Sequence, residues 1–163
     1  MATKKTTDKT IATNRKAYHN YFIQDGIEAG IALTGAEIKS IRAGRVNMSD
    51  AYIKPERGEL WLVNAHIARY EAGSAFGQEP TRERKLLLHR KQITGLTGKV
   101  AERGLTIVPL KIYLKGNLAK VEVALAKGKK QYDKRESITR RETERDLRRV
   151  VKNGRKSGRA AFA

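Results

Sequence analysis

The sequence predicts a mainly β fold with flanking helices, arranged as a small antiparallel barrel and followed by a basic C-terminal tail. Three observations lead to this prediction. Short runs of alternating apolar and polar residues begin at Tyr18 and recur up to Lys127, as is typical of half-buried strands. Two pairs of these runs flank turn-forming residues, which indicates β-hairpins. After Lys127 large apolar residues become sparse and cations dominate, so the end of the chain has little with which to build a core.

The N-terminal third of the chain is predicted to contain an arm, two strand segments and a helix. Residues 1–13 are polar and rich in Thr and Lys, and we expect them to form a loose arm. The core is expected to span residues 14–127 and to begin with strands in YHNYFIQ and GIEAGIAL. A short helix follows in TGAEIKSIRAG, where Thr34 and Glu37 have the spacing of a capping box and Gly44 is a stop signal.

Two hairpins and a second helix complete the predicted core. The first hairpin covers DAYIKPERGELWLVNAHIARY and turns at PERG, whose Pro and Gly suit a turn. Residues 72–84 are rich in turn formers and are predicted to form an exposed loop. The helix lies in HRKQITGLTGKVAERG, with Ile93, Leu96 and Val100 at helical spacing. The second hairpin pairs LTIVPLKIYLKG with LAKVEVALAKG and turns near Gly116.

About six short strands and two helices favour a closed or partly closed barrel of the type that binds oligonucleotides. A split α+β sandwich is the alternative. The tail, residues 128–163, is expected to be disordered when the protein is free, because it has too few large apolar residues for a core of its own. Its segment 139–152 is rich in Arg and Glu and lacks Gly and Pro, so we expect it to become helical against a partner.

The charge of the chain indicates the class of its partner. Lys and Arg number 35 against 17 Asp and Glu, which gives a net charge of +18. Residues 1–126 and residues 127–163 each carry a net charge of +9. A compact protein with this charge repels itself unless a polyanion is nearby, so we expect a nucleic acid. A membrane-surface helix would need Trp, Phe and Leu opposite its cations, but the chain has one Trp and three scattered Phe, so no membrane contact is expected.

The sequence offers little for catalysis, and we expect no enzyme activity, metal or cofactor. The absence of cysteine excludes thiolate nucleophiles and Cys-containing zinc sites, and it is compatible with the cytoplasm, where we expect the protein. His19, His66 and His89 follow no metal-ligand spacing. Neither G-x-x-x-x-G-K-[ST] nor GxGxxG occurs. The acidic residues have no spacing that demands acid–base chemistry, and solvated or capping carboxylates are the simpler interpretation.

Three segments combine cations with aromatic or apolar residues, as binding to unpaired RNA requires. NRKAYHNYF begins the core, TRERKLLLHRK surrounds three leucines with cations, and AKGKKQYDKRE joins the core to the tail. In each case a structural role is the alternative, because strand aromatics and leucines often belong to the core and charge runs are often only solvated. We take Arg15, Lys16, Arg84 and Lys85 as candidate RNA-binding residues of the core.

These segments also resemble the SmpB family, the tmRNA-binding proteins of bacterial ribosome rescue. NRKAYHNYFI, EAGIALTGAEIKSIRAGRVNMSDAYI, RKLLLHRKQI and AKGKKQYDKR match the family's characteristic segments in order and cover roughly residues 14–135. The resemblance implies an oligonucleotide-binding-like barrel flanked by helices. It also implies a non-catalytic adaptor that binds the tRNA-like domain of tmRNA and brings it to ribosomes stalled without a usable stop codon. Elongation factor Tu, bound to aminoacylated tmRNA, is then an indirect partner.

The resemblance further implies two working surfaces. On the barrel, the family's RNA contacts fall on Asn14, Tyr21, Glu28, Leu87 and Lys120. Of these, Glu28 would accept hydrogen bonds from a base, Leu87 would pack against an unstacked base, and Lys120 would bind phosphate. The tail would become helical in the empty mRNA channel and replace the missing codon–anticodon pair at the decoding centre of the ribosomal RNA. Its family motif falls on Gly128, Lys129, Lys130, Asp133, Lys134 and Arg135.

Two other functions remain open at this point. One is a basic, ribosome-associated structural protein whose tail simply neutralises phosphate. It predicts that Glu28→Ala binds RNA as well as or better than the unaltered protein, because a repulsive charge is lost. The other is an RNA-processing enzyme, which predicts a carboxylate whose removal abolishes turnover and leaves binding intact.

Overall fold

The structure is a computed structural model of the chain, and it describes residues 8–71 and 79–160. The chain divides into two units, Met1–Gly128 and Lys129–Ala163. Within the described ranges, the first unit contains nine strands and three helices, and the second contains one helix.

The strands are β1 (Lys9–Thr13), β2 (Tyr21–Ile31), β3 (Val46–Asn47), β4 (Tyr52–Glu56), β5 (Glu59–Val63), β6 (His66–Ile67), β7 (Arg84–Leu87), β8 (Thr106–Lys115) and β9 (Leu118–Gly128). The helices of the first unit are α1 (Arg15–Asn20), α2 (Gly35–Arg42) and α3 (Arg90–Arg103). The second unit consists of α4 (Gln131–Ala160). Strands β3 and β6 form a separate two-stranded sheet, and the other seven belong to one larger sheet.

Six strands of the larger sheet close into a barrel. Antiparallel neighbours follow the order β8, β4, β5, β7, β2 and β9, and β9 pairs again with β8. Closure places one face of every strand in a common interior, so apolar side chains there are removed from water. Among the most buried of these are Leu60, Leu62, Ile107, Ile112, Val121 and Val123. The predicted β-barrel with flanking helices is confirmed, and the split sandwich is excluded by the closure.

Both predicted hairpins are present. Strands β4 and β5 are joined by Arg57 and Gly58, whose φ angles of 50° and 73° are both positive, as in the tight turns that match the twist of a hairpin. Pro55 lies within β4, opposite Leu60, rather than in the turn. Strands β8 and β9 are joined by the predicted turn at Gly116, which has a φ of 63°.

The two predicted helices of the core also form where their sequence signals lie. At the start of α2, the side chain of Thr34 accepts a hydrogen bond from the N–H of Glu37, and the Glu37 carboxylate accepts one from the N–H of Thr34. This is the predicted capping box. Helix α3 buries Ile93 and Leu96 against the barrel. It ends at Gly104, whose backbone has the left-handed conformation that is common at the end of a helix.

The structure corrects the prediction for the N-terminal arm. Strand β1 pairs with β8, and Ile11 packs against the core, so the prediction of a loose arm is wrong for Lys9–Thr13. Pairing along β8 satisfies backbone groups of these residues, and Ala12 packs against the core beside Ile11. Residues 1–7 of the predicted arm lie outside the described residues.

Helix α1 is a second feature that the sequence did not reveal, because YHNYFIQ was interpreted as a strand. Asn14 accounts for it. The Oδ1 atom of Asn14 accepts a hydrogen bond of 3.1 Å from the N–H of Ala17, which caps the helix. Its side-chain nitrogen donates to the carbonyl of Pro109, and its backbone N–H donates to the carbonyl of Leu110. The pairing of β8 with β9 is irregular at this point, so Asn14 joins α1 to a bulge in the barrel.

Helix α4 contains the segment that was predicted to be helical. The carboxylate of Asp133 accepts a hydrogen bond of 3.2 Å from the N–H of Lys130 at its start. None of the side chains that the structure describes between residues 129 and 152 is buried. A helix without tertiary burial is only marginally stable in water, so this exposure agrees with the prediction that the tail has no fixed fold of its own when the protein is free.

Candidate nucleic-acid interface

A groove of about 590 Å³ in the first unit brings together candidate residues that are far apart in the sequence. Those that line it are Glu28, Lys85, Leu87 and Lys120. The strand register explains their meeting, because Gly30 of β2 lies opposite Leu87 of β7 on one side and opposite Lys120 of β9 on the other. Barrel closure therefore builds a concave surface on which these candidates, an acid, two cations and an apolar side chain, lie together with a second acid, Glu59.

Leu87 forms the apolar part of the groove. Its side chain is 53% exposed, whereas that of Leu86 next to it is fully buried. Successive strand residues point to opposite faces, so Leu86 fills the barrel and Leu87 projects from it. A Cβ atom on Gly30 would lie 3.1 Å from the Cβ of Leu87, so the absence of a side chain on Gly30 leaves room for the leucine. An exposed leucine between cations is suited to contact an unstacked base.

Glu28 is held at the edge of the groove by two hydrogen-bond donors, Tyr113 and Lys115, and by the charge of Lys120. The Tyr113 hydroxyl donates a short hydrogen bond to Oε2 of Glu28. The Nζ atom of Lys115 lies 3.4 Å from the same oxygen, and that of Lys120 lies 3.9 Å from Oε1. The hydrogen bond from Tyr113 lowers the pKa of Glu28. Partial burial raises it, but the two lysines also lower it, so the pKa lies below its ordinary value of 4.5. Glu28 is therefore an ionised acceptor at neutral pH, able to receive base N–H groups.

Arg84 does not belong to this surface, so the prediction that its side chain binds RNA is wrong. It is 0% exposed and points into the barrel with Leu86. Its Nε donates to the Glu37 carboxylate at 2.9 Å, and Nη1 and Nη2 donate to the carbonyls of Ala65 and Pro80. Its donors are engaged inside the protein, and none is directed to a ligand. Lys85, the next residue, points outward and forms an exposed ion pair with Glu59 at 3.3 Å.

A second, smaller cleft of about 300 Å³ holds the other candidates of the core. It is lined in part by Asn14, Lys16, Tyr21, Asp50 and Tyr52. Tyr21 opens β2 opposite Gly128, whereas Glu28 lies opposite Glu122. Seven residues of strand separate Tyr21 from Glu28, which is roughly 20 Å. The contacts implied by the resemblance therefore fall at two separate places on the barrel.

The residues of this second cleft differ in what they offer a ligand. Asn14 is only 2% exposed and uses its side chain to cap α1, so the prediction that it contacts RNA directly is wrong for the side chain. Arg15 and Lys16 are exposed on α1, and Lys16 forms an ion pair with Asp50. Tyr21 is half-buried. Arg15 does not line the cleft, which therefore presents one cation, Lys16, paired with an acid, and the half-buried ring of Tyr21.

The predicted tail motif begins at the end of the barrel strand β9, where Gly128 is the last residue. The remaining members precede α4 or lie in its first turns: Lys129, Lys130, Asp133, Lys134 and Arg135. Asp133 is the single acid in the first turn of the helix, where a negative charge favours helix formation. The motif thus joins a helix start to a cluster of cations, and its contact with the ribosome stays a prediction.

Tyr113 and Lys115 are functional candidates that the sequence analysis missed. The pattern LKIYLK does carry a signal for them, since Lys111, Tyr113 and Lys115 alternate with the inward residues of β8. What the pattern does not reveal is that Tyr113 meets Glu28, which is 85 residues earlier in the chain.

No helix within residues 8–71 and 79–160 is long and apolar enough to cross a membrane. Within the same ranges, no group of three or more His, Asp or Glu residues is placed to hold a metal ion.

Comparison with known proteins relates this geometry to one family. The profile of the family described as SmpB protein matches residues 11–153. The SsrA-binding protein of Dehalococcoides mccartyi is 63% identical over 143 residues, which cover 88% of this chain and 83% of that protein. The SsrA-binding protein of Carboxydothermus hydrogenoformans is 56% identical over 89% of this chain and 97% of that protein.

A solved structure is similar in both sequence and fold. It is described as "tmRNA-SmpB: a journey to the center of the bacterial ribosome", and one of its chains is 47% identical to this one. The match covers 78% of this chain and 93% of that chain, with a TM-score of 0.63. The chain therefore belongs to the SmpB protein family.

Proposed function

We propose that this protein is a non-catalytic adaptor that binds the tRNA-like domain of tmRNA and delivers it to stalled ribosomes. The single observation that carries the proposal is the groove in which an ionised Glu28 and an exposed Leu87 lie among cations. A surface that only attracted phosphate would not include an ionised carboxylate in its lining. The curated relatives are SsrA-binding proteins, and the similar solved structure concerns tmRNA and SmpB on the ribosome, which supports this RNA as the ligand.

Each side chain of the groove has a distinct task in this proposal. Leu87 packs against the face of an unstacked base, and Glu28 accepts hydrogen bonds from the amino or imino groups of a base. Lys85 and Lys120 bind phosphate oxygens, which contributes affinity that decreases with salt. Tyr21 and Lys16 extend the contact at the second cleft, where an aromatic ring and a cation are available. Base reading and phosphate binding thus come from different residues.

The tail has the second task. Residues 127–163 carry a net charge of +9, and the described part of α4 has only exposed or half-exposed side chains. Folding of such a segment costs conformational entropy, and only binding to a partner compensates for this cost. The segment is therefore expected to fold only where a channel is present to bind it. The tail occupies the empty mRNA channel, with Lys129, Lys130, Lys134 and Arg135 against ribosomal RNA and Asp133 starting the helix. Elongation factor Tu takes part indirectly, through aminoacylated tmRNA.

Truncation after Lys127 separates these two tasks. We expect near-normal affinity for the tRNA-like domain in a filter-binding assay, because the groove is intact. We expect no tagging of nascent peptides on ribosomes stalled at the end of an mRNA that lacks a stop codon. Loss of both activities, or of neither, would contradict the division into two surfaces. A full-length control with Lys129, Lys130, Lys134 and Arg135 replaced by Gln should show the same separation.

A basic ribosome-associated structural protein is the alternative function, and Glu28 distinguishes it from the adaptor. If affinity came only from attraction to phosphate, Glu28→Ala would bind every RNA equally well or better. The adaptor function predicts weaker and less selective binding to the tRNA-like domain. A competition experiment between the tRNA-like domain and an unrelated RNA hairpin measures both the affinity and the selectivity of Glu28→Ala. Recovery of intact RNA from the same reactions tests the absence of nuclease activity.

A further inference from the structure

The Tyr113 hydroxyl donates a hydrogen bond to Glu28, a contact between residues 85 positions apart in the chain. We propose that Tyr113 is a positioning residue, which aims the Glu28 carboxylate at RNA bases and thereby determines the base selectivity of the groove. The inference rests on the function proposed above. It concerns a residue that the RNA does not itself touch, because Tyr113 and Lys115 do not line the groove, whereas Glu28 and Lys120 do.

The strand register makes this contact possible. Tyr113 of β8 lies opposite Lys120 of β9, and Lys120 lies opposite Gly30 of β2. Glu28 precedes Gly30 by two residues, so it projects from the same face of β2 as the Gly30 position. The hydroxyl of Tyr113 therefore reaches diagonally across β9 to the carboxylate, a distance within the span of a long aromatic side chain.

The two partners differ in mobility. Tyr113 is only 6% exposed, and the Nζ atom of Lys111 lies 5.4 Å from the centre of its ring, so the ring has little freedom to move. The side chain of Glu28 is 39% exposed, and without a fixed partner it would sample several rotamers. A rigid donor that holds one carboxylate oxygen restricts the other oxygen to a single direction. In this arrangement Oε2 faces Tyr113, and Oε1 is the oxygen nearer to Lys120 of the groove.

The two lysines near Glu28 do not provide the same restraint. Lys115 lies 3.5 Å from Oε1 and 3.4 Å from Oε2, and its side chain is about half exposed. Lys120 is 3.9 Å from Oε1. Exposed ion pairs of this kind tolerate many geometries and contribute little. A hydroxyl bond has a preferred direction, so Tyr113 orients the acid while the lysines only balance its charge.

A second carboxylate increases the need for such a restraint. Glu28 lies directly opposite Glu122 in the pairing of β2 with β9, and like charges at opposed positions repel. Glu122 is held by Lys111 at 2.9 Å, on the side away from the groove. Tyr113 holds Glu28, the other carboxylate of the two opposed acids. Burial of the Tyr113 side chain raises the pKa of its hydroxyl, and the hydrogen bond to the Glu28 carboxylate raises it further. The hydroxyl therefore stays protonated and remains a donor.

The test uses the full-length protein with four variants: Tyr113→Phe, Glu28→Gln, the double variant, and Glu122→Gln as a control that removes an acid from the same strands outside the groove. The probes are the tRNA-like domain of tmRNA and an unrelated RNA hairpin of equal length. We expect Glu28→Gln to bind the tRNA-like domain about 10-fold more weakly and Tyr113→Phe about 3- to 10-fold more weakly, the range for one oriented hydrogen bond. Binding to the hairpin should change less than about twofold in each case.

The double variant and a titration decide whether Tyr113 acts through Glu28. We expect the double variant to be no more than about twofold weaker than Glu28→Gln alone, because the two residues form one unit. By carbon NMR, Tyr113→Phe should raise the pKa of the Glu28 carboxyl towards its ordinary value, a change that a purely structural role of the ring would not produce. Glu122→Gln should leave the selectivity unchanged, and because it removes a repulsive charge it should, if anything, lower the pKa of the Glu28 carboxyl, opposite to the change expected for Tyr113→Phe.

Additive losses in the double variant, or equal weakening for both RNAs, would overturn the positioning role. Normal binding by Glu28→Gln would instead contradict the proposed function of the groove, so the two failures are distinguishable. If Tyr113→Phe melts below the assay temperature, Glu28→Asp tests the same contact, since it withdraws the carboxylate from the hydroxyl while preserving its charge. Full selectivity in Glu28→Asp would overturn the inference, and loss comparable to Glu28→Gln would support it.

Discussion

The Nε atom of Arg84 donates a hydrogen bond of 2.9 Å to Oε1 of Glu37, and both side chains are withdrawn from water. Arg82 donates two further bonds to the same carboxylate, at 2.8 and 2.6 Å. Glu37 also accepts the N–H of Thr34 and so caps α2. One carboxylate therefore joins a helix to β7, the strand that carries Leu87 into the groove. A buried ion pair inside the fold therefore supports the surface that we propose to bind RNA.

Loss of the Glu37 charge is expected to destabilise the protein strongly. In Glu37→Gln the amide oxygen can still cap α2, but the buried guanidinium of Arg84 loses its counter-charge. We expect the free energy of unfolding to fall by about 3 to 5 kcal/mol in urea denaturation. Glu59→Gln is the matched control, because its pair with Lys85 is exposed, and it should change stability by less than about 1 kcal/mol. Equal effects of the two substitutions would contradict the structural role of the buried pair.

Acid is expected to weaken the same connection. Burial tends to raise the pKa of Glu37, but hydrogen bonds from Arg82 and Thr34 and the charge of Arg84 outweigh it and hold the pKa below 4.5. The unfolded state then binds more protons, so the stabilisation is complete above about pH 4.5 and is lost as the pH falls through the lower folded-state value. Melting temperatures between about pH 6 and about pH 3 measure this loss. In Glu37→Gln the decline over this range should be shallower, and an unchanged slope would exclude Glu37 as its source.

Substitutions of two neighbouring leucines on β7 should affect RNA binding and protein stability separately. Leu87→Ala removes an exposed side chain, so we expect the stability to change by less than about 0.5 kcal/mol. Binding of the tRNA-like domain should weaken about 5- to 10-fold, at the lower end of the range for aromatic side chains stacked on a base, because leucine has no ring to stack. Leu86→Ala empties part of the barrel and should cost about 2 to 5 kcal/mol of stability. If Leu87→Ala binds normally in a filter assay, the leucine does not contact the RNA.

The start of the tail helix provides a further prediction. Asp133→Ala in a peptide of residues 129–163 removes the acceptor for the N–H of Lys130, which should cost about 0.5 to 2 kcal/mol of helix stability. Because the free peptide is expected to be disordered in water, circular dichroism is recorded in trifluoroethanol, which promotes helix, and should show less helix for Asp133→Ala than for the unaltered peptide. Asp146→Ala is the control, since it removes one aspartate from the same helix but only a long ion pair of 3.9 Å with Arg149. A loss of helix that is as large for Asp146→Ala would mean that Asp133 acts through charge alone.

Local signals in the sequence predicted several elements correctly. The capping box of Thr34 and Glu37 lies within four residues, and the turns at Gly58 and Gly116 need only a positive φ at the right position. Helix α3 was indicated by the spacing of Ile93 and Leu96. These features depend on contacts between near neighbours, so a short stretch of sequence contains the information. Helix α1 was missed because the bond that anchors its cap reaches Pro109, 95 residues away.

The sequence by itself determined the class of partner, the division of charge between core and tail, and the family. Only the tertiary structure decided which charged side chains are available to RNA. Arg84 and Lys85 are adjacent cations, yet strand alternation buries one against Glu37 and exposes the other. Likewise, Glu28 meets Tyr113 only because the strands close into a barrel. Charge is a property of composition, whereas the burial and orientation of a side chain depend on strand register and on partners far away in the chain.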